Sequence, residues 1–389
     1  MKMLRWSLFF LFSVCVYSQP LDVSVSAKSA LLLNAENGKV LFEKNGYESA
    51  FPASVTKIAT ALYILETKKQ ALDTKITASS DAIAIAPRSK KRIPYRLEKD
   101  TAHIGIKRGE VLSIESLLYG MMLASGGDAA NVLAEWTSGS IPEFMVQLNQ
   151  YLNRMGCTQT HFVNPHGVHD ASHVTTAYDL AKLTQRALQN PTFRKIVSSV
   201  MFTCPPTNKQ PKRIFSQTNR LLKKRNASYY PFAIGVKTGY TVPAGHTLVA
   251  AAEKDGRLLI AVVMGAEKSE ERFADARRMF EAGFAEQKIS RQMFGKETHF
   301  SNKIEGGEKA LQASLRENIT IEYYPSEENE IQSKVQWHEC QFPLSVGDCV
   351  GELHLVSGNQ VIKKYPLFAS EPLQGTFLFK VKRFCKKLF

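Results

Sequence analysis

The chain has 389 residues, long enough to bury a sizeable core and to divide into two domains. With 44% hydrophobic and 22% charged residues, its composition is that of an ordinary globular protein, which excludes a disordered or low-complexity chain. The formal net charge of +14 favours an anionic surface; no zinc-finger spacing or RNA-binding signature accompanies it, so membrane lipid or cell wall is the expected partner and nucleic acid is not.

Met1-Lys2-Met3-Leu4-Arg5 precedes an apolar run from Trp6 to Tyr17 that is too short to span a bilayer comfortably, with small Ser18 behind it. This reads as an export signal over residues 1–18, cut after Ser18, rather than as an uncleaved anchor. Cys15 lacks the small residues usually found before a lipidated cysteine. Of the cysteines left after cleavage, Cys340 and Cys349 could staple a hairpin in an oxidising compartment. The alternative is that all are reduced and buried.

Ala30–Asn34 and Lys39–Glu43 are apolar-rich runs separated by Glu36-Asn37-Gly38, and Asn-Gly predicts a hairpin. Pro52 then precedes Ser54, after which Ile58, Ala61, Leu62 and Leu65 recur at helical spacing, so Ser54 is expected at a helix N-terminus. From Gly109 to Trp136 the pattern is again helical, with Ile114, Leu117, Leu118, Met121 and Met122 forming a stripe that Ser125-Gly126-Gly127 interrupts and a second helix following through Ala129 to Trp136. Two further helical stretches, Pro142 to Met155 and Asp179 to Leu188, complete a helical block.

Strands return at Phe232–Val236, His246–Ala252 and Leu258–Met264, and Glu270–Phe284 repeats apolar residues as a helix that can cover a sheet. The order predicts one α/β (α+β) unit over residues 24–286: a mostly antiparallel sheet whose first strands pair with its last, with the helical block inserted between. Residues 288–370 read as a small β-rich domain. In residues 375–389, Phe377, Val381, Phe384 and Leu388 share one helical face and lysines and Arg383 occupy the rest, the pattern of an interfacial membrane anchor.

Three stretches carry chemistry: Ser54-Val55-Thr56-Lys57, Ser125-Gly126-Gly127 and Lys237-Thr238-Gly239. A Ser-x-x-Lys alone is a weak signal, since about one is expected by chance in a chain this long. The three together, in this order and structural context, argue for a serine acyl-transfer enzyme. Ser54 is then the nucleophile. Its base is Lys57, whose amine must come down from about 10.4 to near neutrality, a cost of about 4 kcal/mol that burial and the charge of Lys237 can supply.

With Asn37-Gly38-Lys39-Val40-Leu41, Thr160-His161-Phe162-Val163-Asn164-Pro165-His166-Gly167, Gly235–Gly239 and Arg272-Phe273-Ala274-Asp275-Ala276 added, the chain resembles the low-molecular-mass penicillin-binding proteins that are D-alanyl-D-alanine carboxypeptidases. The resemblance covers nearly the whole chain. It implies a penicillin-recognising, transpeptidase-like fold at the outer, periplasmic face of the cytoplasmic membrane. The substrate is a peptidoglycan pentapeptide that loses its terminal D-alanine, the inhibitors are β-lactams, and no cofactor or metal is needed. In this scheme the backbone N–H groups of Ser54 and Tyr240 hold the oxyanion, and Ser125 passes a proton to the leaving amine. Lys237 and Thr238 bind the terminal carboxylate, Gly239 lets the substrate lie against the strand edge, and Arg272 assists the carboxylate.

The family's second motif usually ends in Asn, where this chain has Gly127 followed by Asp128; Asn131, one turn on, is not a simple replacement. That departure bears on substrate affinity and deacylation and leaves a weak or non-catalytic penicillin-binding sensor as an alternative. Transpeptidase or endopeptidase activity on the same fold is another. A different chemistry is suggested by His161, His166, His169, Asp170 and His173, whose density fits a metallohydrolase but whose spacing matches no helical zinc motif.

Overall fold

The computed structural model describes residues 19–68, 71–86, 93–327, 331–357 and 360–377. The proposed export signal, and the anchor beyond Phe377, lie outside them. Among the described residues no helix is long and apolar enough to cross a membrane. Pro20–Ala285 form one compact unit, and the described residues from Glu286 onward belong to another.

In the first unit the chain runs β1 (Ser29–Asn34), β2 (Val40–Lys44), a 3-10 turn (Ala53–Thr56), α1 (Lys57–Thr67), β3 (Lys75–Thr77) and β4 (Val111–Ser113). The helical block follows as α2 (Ile114–Leu123), α3 (Gly127–Ser138), α4 (Ile141–Arg154), α5 (Ala177–Leu188) and α6 (Pro191–Ser198). A two-stranded ribbon, β5 (Met201–Cys204) and β6 (Arg213–Ser216), leads to β7 (Ala233–Thr241), β8 (Gly245–Lys254), β9 (Arg257–Ala266) and α7 (Ser269–Ala285). The main sheet has the order β2-β1-β9-β8-β7, antiparallel throughout. The first strands pair with the last, and the helical block is inserted between them.

Strand β1 explains why the sheet sits in the middle of three layers. Successive strand residues face opposite sides, and here both sides are buried: Leu31 and Leu33 enter the core under the helical block, Ala30 and Leu32 the core under α7. Each of these leucines is at most 2% exposed, so each contributes about 1.5–3 kcal/mol of burial. Helix α5 packs on β9 and β1 from one side and α7 on β9 and β8 from the other. The strand predicted to stop at Val236 continues to Thr241, which carries Lys237, Thr238 and Gly239 within β7.

Local features differ from the sequence reading: β4 pairs with β3 and takes Val111–Ser113 out of the stretch read as helical from Gly109. Helix α1 begins at Lys57 rather than at Ser54, because Ala53 has a positive φ of 51° and the N–H of Lys57 turns back to the Ser54 carbonyl in a tighter turn. Helix α6 and the β5–β6 ribbon were not anticipated; each is short, and neither offers enough periods to stand out from a loop.

The second unit is all β: β10 (Ile289–Phe294), β11 (His299–Asn302), β12 (Leu311–Ser314), β13 (Ile319–Tyr323), β14 (Ile331–Trp337), β15 (Cys349–Ser357) and β16 (Gln360–Ala369). β10 pairs with β13, and the rest form an antiparallel sheet of order β11-β12-β16-β15-β14 over its own core, which includes Leu311, Leu353 and Leu367. Cys340 and Cys349 are free thiols here, not a staple: their sulfurs turn to separate carbonyls, of His338 and Gly351.

Candidate active site

The 3-10 turn places Ser54 half-buried, with its hydroxyl facing the Lys57 side chain one turn on. Lys57 Nζ donates to Ser54 Oγ at 2.9 Å and to the His166 carbonyl at 2.5 Å. Lys57 is fully buried, and burial brings its amine down to about 7 against the opposing pull of the Asp128 carboxylate. A lysine so placed is substantially neutral near neutral pH and can accept a hydroxyl proton.

The second pair comes from distant parts of the chain. Lys237 Nζ donates to Ser125 Oγ at 3.0 Å and to the Thr238 carbonyl at 2.7 Å. Its amine is also held well below the ordinary lysine range, first by burial, then by repulsion from the Lys57 amine whenever that is protonated, and by the Arg272 guanidinium. Ser125 sits between α2 and α3 at φ 63°, a backbone conformation that costs a non-glycine residue about 1–3 kcal/mol and is concentrated at functional sites.

β7 runs close against the turn that carries Ser54, and Gly239 makes that approach possible. A Cβ there would lie 2.4 Å from Thr247 Oγ1 and 2.8 Å from the backbone N of Ser54. Thr247 in turn donates to the Pro52 carbonyl at 2.9 Å, tying β8 to the same turn. Thr238 shares a 2.7 Å hydrogen bond with Thr218. Tyr240, at the exposed end of the strand, stacks its ring on His246.

Arg272, on the buried face of α7, donates through Nη1 to the carbonyls of Gly239 at 2.7 Å and Thr247 at 3.1 Å. Its hold on the site is therefore exerted on the two strands that flank the turn.

His161, His166 and His173 hold backbone in place, and His169 packs its ring edge-on against Phe51. The Val163 N–H donates to His173 Nδ1, which leaves the proton on Nε2 to donate to Thr56 Oγ1 at 2.8 Å; Thr56 then donates to the Ala53 carbonyl at 2.8 Å. Burial pushes His173 down to about 3, so this relay is neutral and pins the turn that carries Ser54. His166 Nε2 donates to the Tyr95 carbonyl at 3.0 Å while its own carbonyl receives Lys57. Among the described residues no three His, Cys, Asp or Glu side chains converge as metal ligands would.

His166 is a contributor that sequence reasoning missed, because it acts through its backbone carbonyl; the Asn-Pro-His-Gly turn was the available signal. Gly167 belongs to the same turn, at φ 86°, where a Cβ would collide with the Ala53 carbonyl at 1.9 Å. The third position of the second motif is occupied from elsewhere. A Cβ on Gly127 would meet Thr101 Cγ2 at 2.8 Å and Leu97 Cδ2 at 3.1 Å, and the Gly127 N–H donates to the Ala102 carbonyl at 2.7 Å. Asp128 receives the N–H groups of Ile104 and Ile106, and Asn131 donates to the carbonyls of Ala82 and Tyr95. Both side chains thus anchor the 93–106 segment.

Comparison with known proteins meets this geometry from the other direction. Residues 15–268 match the D-alanyl-D-alanine carboxypeptidase family. The chain belongs to that family. It is 30% identical over 367 residues to the D-alanyl-D-alanine carboxypeptidase DacF of Bacillus subtilis, covering 93% of this chain and 90% of that protein. Among solved structures it is similar to the Streptomyces K15 DD-transpeptidase, with 28% identity, a TM-score of 0.60 and coverage of 67% of this chain and 98% of that one. Penicillin binding protein 5 from Haemophilus influenzae shares the fold over 90% of this chain and 98% of its own, with 24% identity and a TM-score of 0.62. For this carboxypeptidase-family chain the matched span includes all three motif stretches.

Proposed function

We propose that the protein is a penicillin-binding serine D-Ala-D-Ala carboxypeptidase, removing the terminal D-alanine of peptidoglycan stem peptides through an acyl-Ser54 intermediate. The observation that carries the reading is the buried Lys57 amine 2.9 Å from Ser54 Oγ. Neutral Lys57 takes the hydroxyl proton as Oγ attacks the scissile carbonyl, and the backbone N–H groups of Ser54 and Tyr240 stabilise the oxyanion. As the tetrahedral adduct collapses, Ser125, hydrogen-bonded to Lys237, gives its hydroxyl proton to the leaving D-alanine amine and takes up the proton that Lys57 had accepted. Water then attacks the acyl-serine, losing a proton to Lys57, and that proton returns to Ser54 Oγ as the ester bond breaks.

In this reading Lys237 and Thr238 receive the terminal carboxylate of the substrate. Gly239 leaves room for the substrate backbone, and Arg272 is a positioning residue that holds the Gly239 carbonyl and adds positive charge behind the carboxylate site. A β-lactam enters as an acylating analogue of the same peptide. The test is labelling with a tagged penicillin, followed by D-alanine release from a D-Ala-D-Ala pentapeptide. The wild type takes the label and releases D-alanine, whereas Ser54→Ala does neither. Equal labelling of both proteins would sink the serine mechanism.

Partition between water and an amine acceptor distinguishes carboxypeptidase from transpeptidase, and the likeness to the Streptomyces K15 DD-transpeptidase favours including a glycine acceptor in the assay. We further propose that the protein is exported by residues 1–18 and attached to the periplasmic face of the cytoplasmic membrane through residues 375–389, with catalysis in 24–286 and no catalytic part in 288–370. The alternation of aromatic and basic residues at the C-terminus supports attachment. Liposome flotation that is unchanged by deleting residues after Gly375 would refute it.

A further inference from the structure

The β5–β6 ribbon has two unlike faces, because its cross-strand pairs alternate sides. Phe202 and Phe215 pair on the inner face, where Phe202 stacks on Tyr119 of α2 with ring centroids 4.0 Å apart and Phe215 is buried. Thr203 pairs with Ile214 and Met201 with Ser216 on the outer face, and there Met201 is 59% exposed and Ile214 60% exposed. Val200, just before β5, is exposed as well. Large apolar side chains therefore stand in water on a ribbon whose other face is held by α2.

The charge around them is of one sign. From Arg194 to Arg225 the sequence holds nine basic residues and no acidic one, so the ribbon and its flanks cannot neutralise themselves. Arg194, Arg213 and Arg220 form ion pairs with Glu253, Glu110 and Glu270. Lys209 and Lys212, in the turn that joins β5 to β6, have no ion pair among the described residues and are exposed. A second turn is fastened to theirs: Asn208 donates from Nδ2 to the Gly109 carbonyl at 2.9 Å and accepts the Val111 N–H at 2.9 Å. That link brings the exposed Lys107 and Arg108 to the same tip. Glu110, between the two turns, is fully buried, and its carboxylate already receives Arg213, Thr207, Gln210 and the Lys107 N–H.

We propose that the tip and outer face of the β5–β6 ribbon form a docking surface for an anionic phospholipid bilayer, separate from the C-terminal segment. Lys107, Arg108, Lys209 and Lys212 meet lipid phosphates, and Met201 and Ile214 enter the headgroup layer beside them. Cations held close to an anionic membrane each add attraction, which salt screens. The apolar side chains gain only from a partner with a hydrocarbon boundary. They are what favours lipid over a water-soluble polyanion, which the lysines alone would accept. β6 leads on to Thr218, whose hydroxyl is bonded to Thr238, so a ribbon seated on lipid also fixes the rim of the catalytic site relative to the bilayer.

The test pellets the full chain with vesicles of phosphatidylcholine, with or without phosphatidylglycerol, at low salt. Lys209→Glu/Lys212→Glu is expected to lose about tenfold in partition to the anionic vesicles, with partition to the neutral ones and the thermal midpoint held. Depth is read separately: the fluorescence of Ile214→Trp should be quenched by brominated lipid, and that of Val146→Trp, on α4, should not. Unchanged partition of the double variant, or no quenching at position 214, overturns the docking surface. Binding that soluble polyphosphate competes away without any quenching at position 214 overturns it too, in favour of a polyanion site.

Discussion

The site contains two hydroxyl–lysine pairs of nearly equal length, and they are built in opposite ways. Ser54 and Lys57 are neighbours on one turn, 2.9 Å apart, and the chain needs only local structure to bring them together. Ser125 and Lys237 are 112 residues apart in sequence and meet at 3.0 Å only because β7 packs beside the junction of α2 and α3. The first pair is therefore a property of a turn and the second a property of the whole unit. A local pair tolerates disturbance elsewhere, whereas a long-range pair reports on the packing of everything between its members.

That contrast can be broken from either side. The largest effect is expected from Lys57→Ala, which removes the proposed base and should lower the penicillin acylation rate by about 10²–10⁴-fold with little change in apparent affinity. Lys237→Ala should act differently, weakening affinity for carboxylate-bearing ligands together with rate, since it removes both the amine proposed to meet the carboxylate and the partner of Ser125. Rate and affinity measured separately distinguish the two. If both variants lost only rate, the assignment of the carboxylate to Lys237 would be wrong.

A smaller effect is expected at Gly127. Installing the family's usual residue there, Gly127→Asn, drives a side chain into Thr101 and Leu97, not into open space. Overpacking of this kind costs about 1–3 kcal/mol, read as a lower thermal midpoint, and penicillin acylation should not improve. A gain in acylation at unchanged stability would show that the 93–106 segment yields easily and that the missing amide limits the enzyme.

The same contrast explains what the sequence could convey. Ser54 and Lys57 were legible because their spacing is a local rule, and β1, β2 and α7 because alternation and helical period are local too. The pairing of β1 with β9 followed from the order of elements. The meeting of Ser125 with Lys237 did not follow from spacing at all; it rested on the three motifs being taken as a set. What stayed hidden was backbone and volume. The His166 carbonyl that receives Lys57 has no side-chain signature. The methyl of Thr101 standing where a second-motif side chain would begin cannot be read from residues numbered so far apart. Arg272 was visible as a charge, but its grip on the Gly239 and Thr247 carbonyls required the strands to be in place.

The central claim is that Ser54 is activated by a lysine made neutral through burial, and the pH dependence of acylation tests it most directly. Lys57 can accept a proton only in its neutral form, and its amine is brought down to about 7. The rate of Ser54 acylation by a labelled penicillin should therefore be low in acid, rise as pH increases through about 7 and level off above it, and that rise should vanish in Lys57→Ala. A wild-type rate that is flat across this range, or that falls as pH rises through it, would contradict the account.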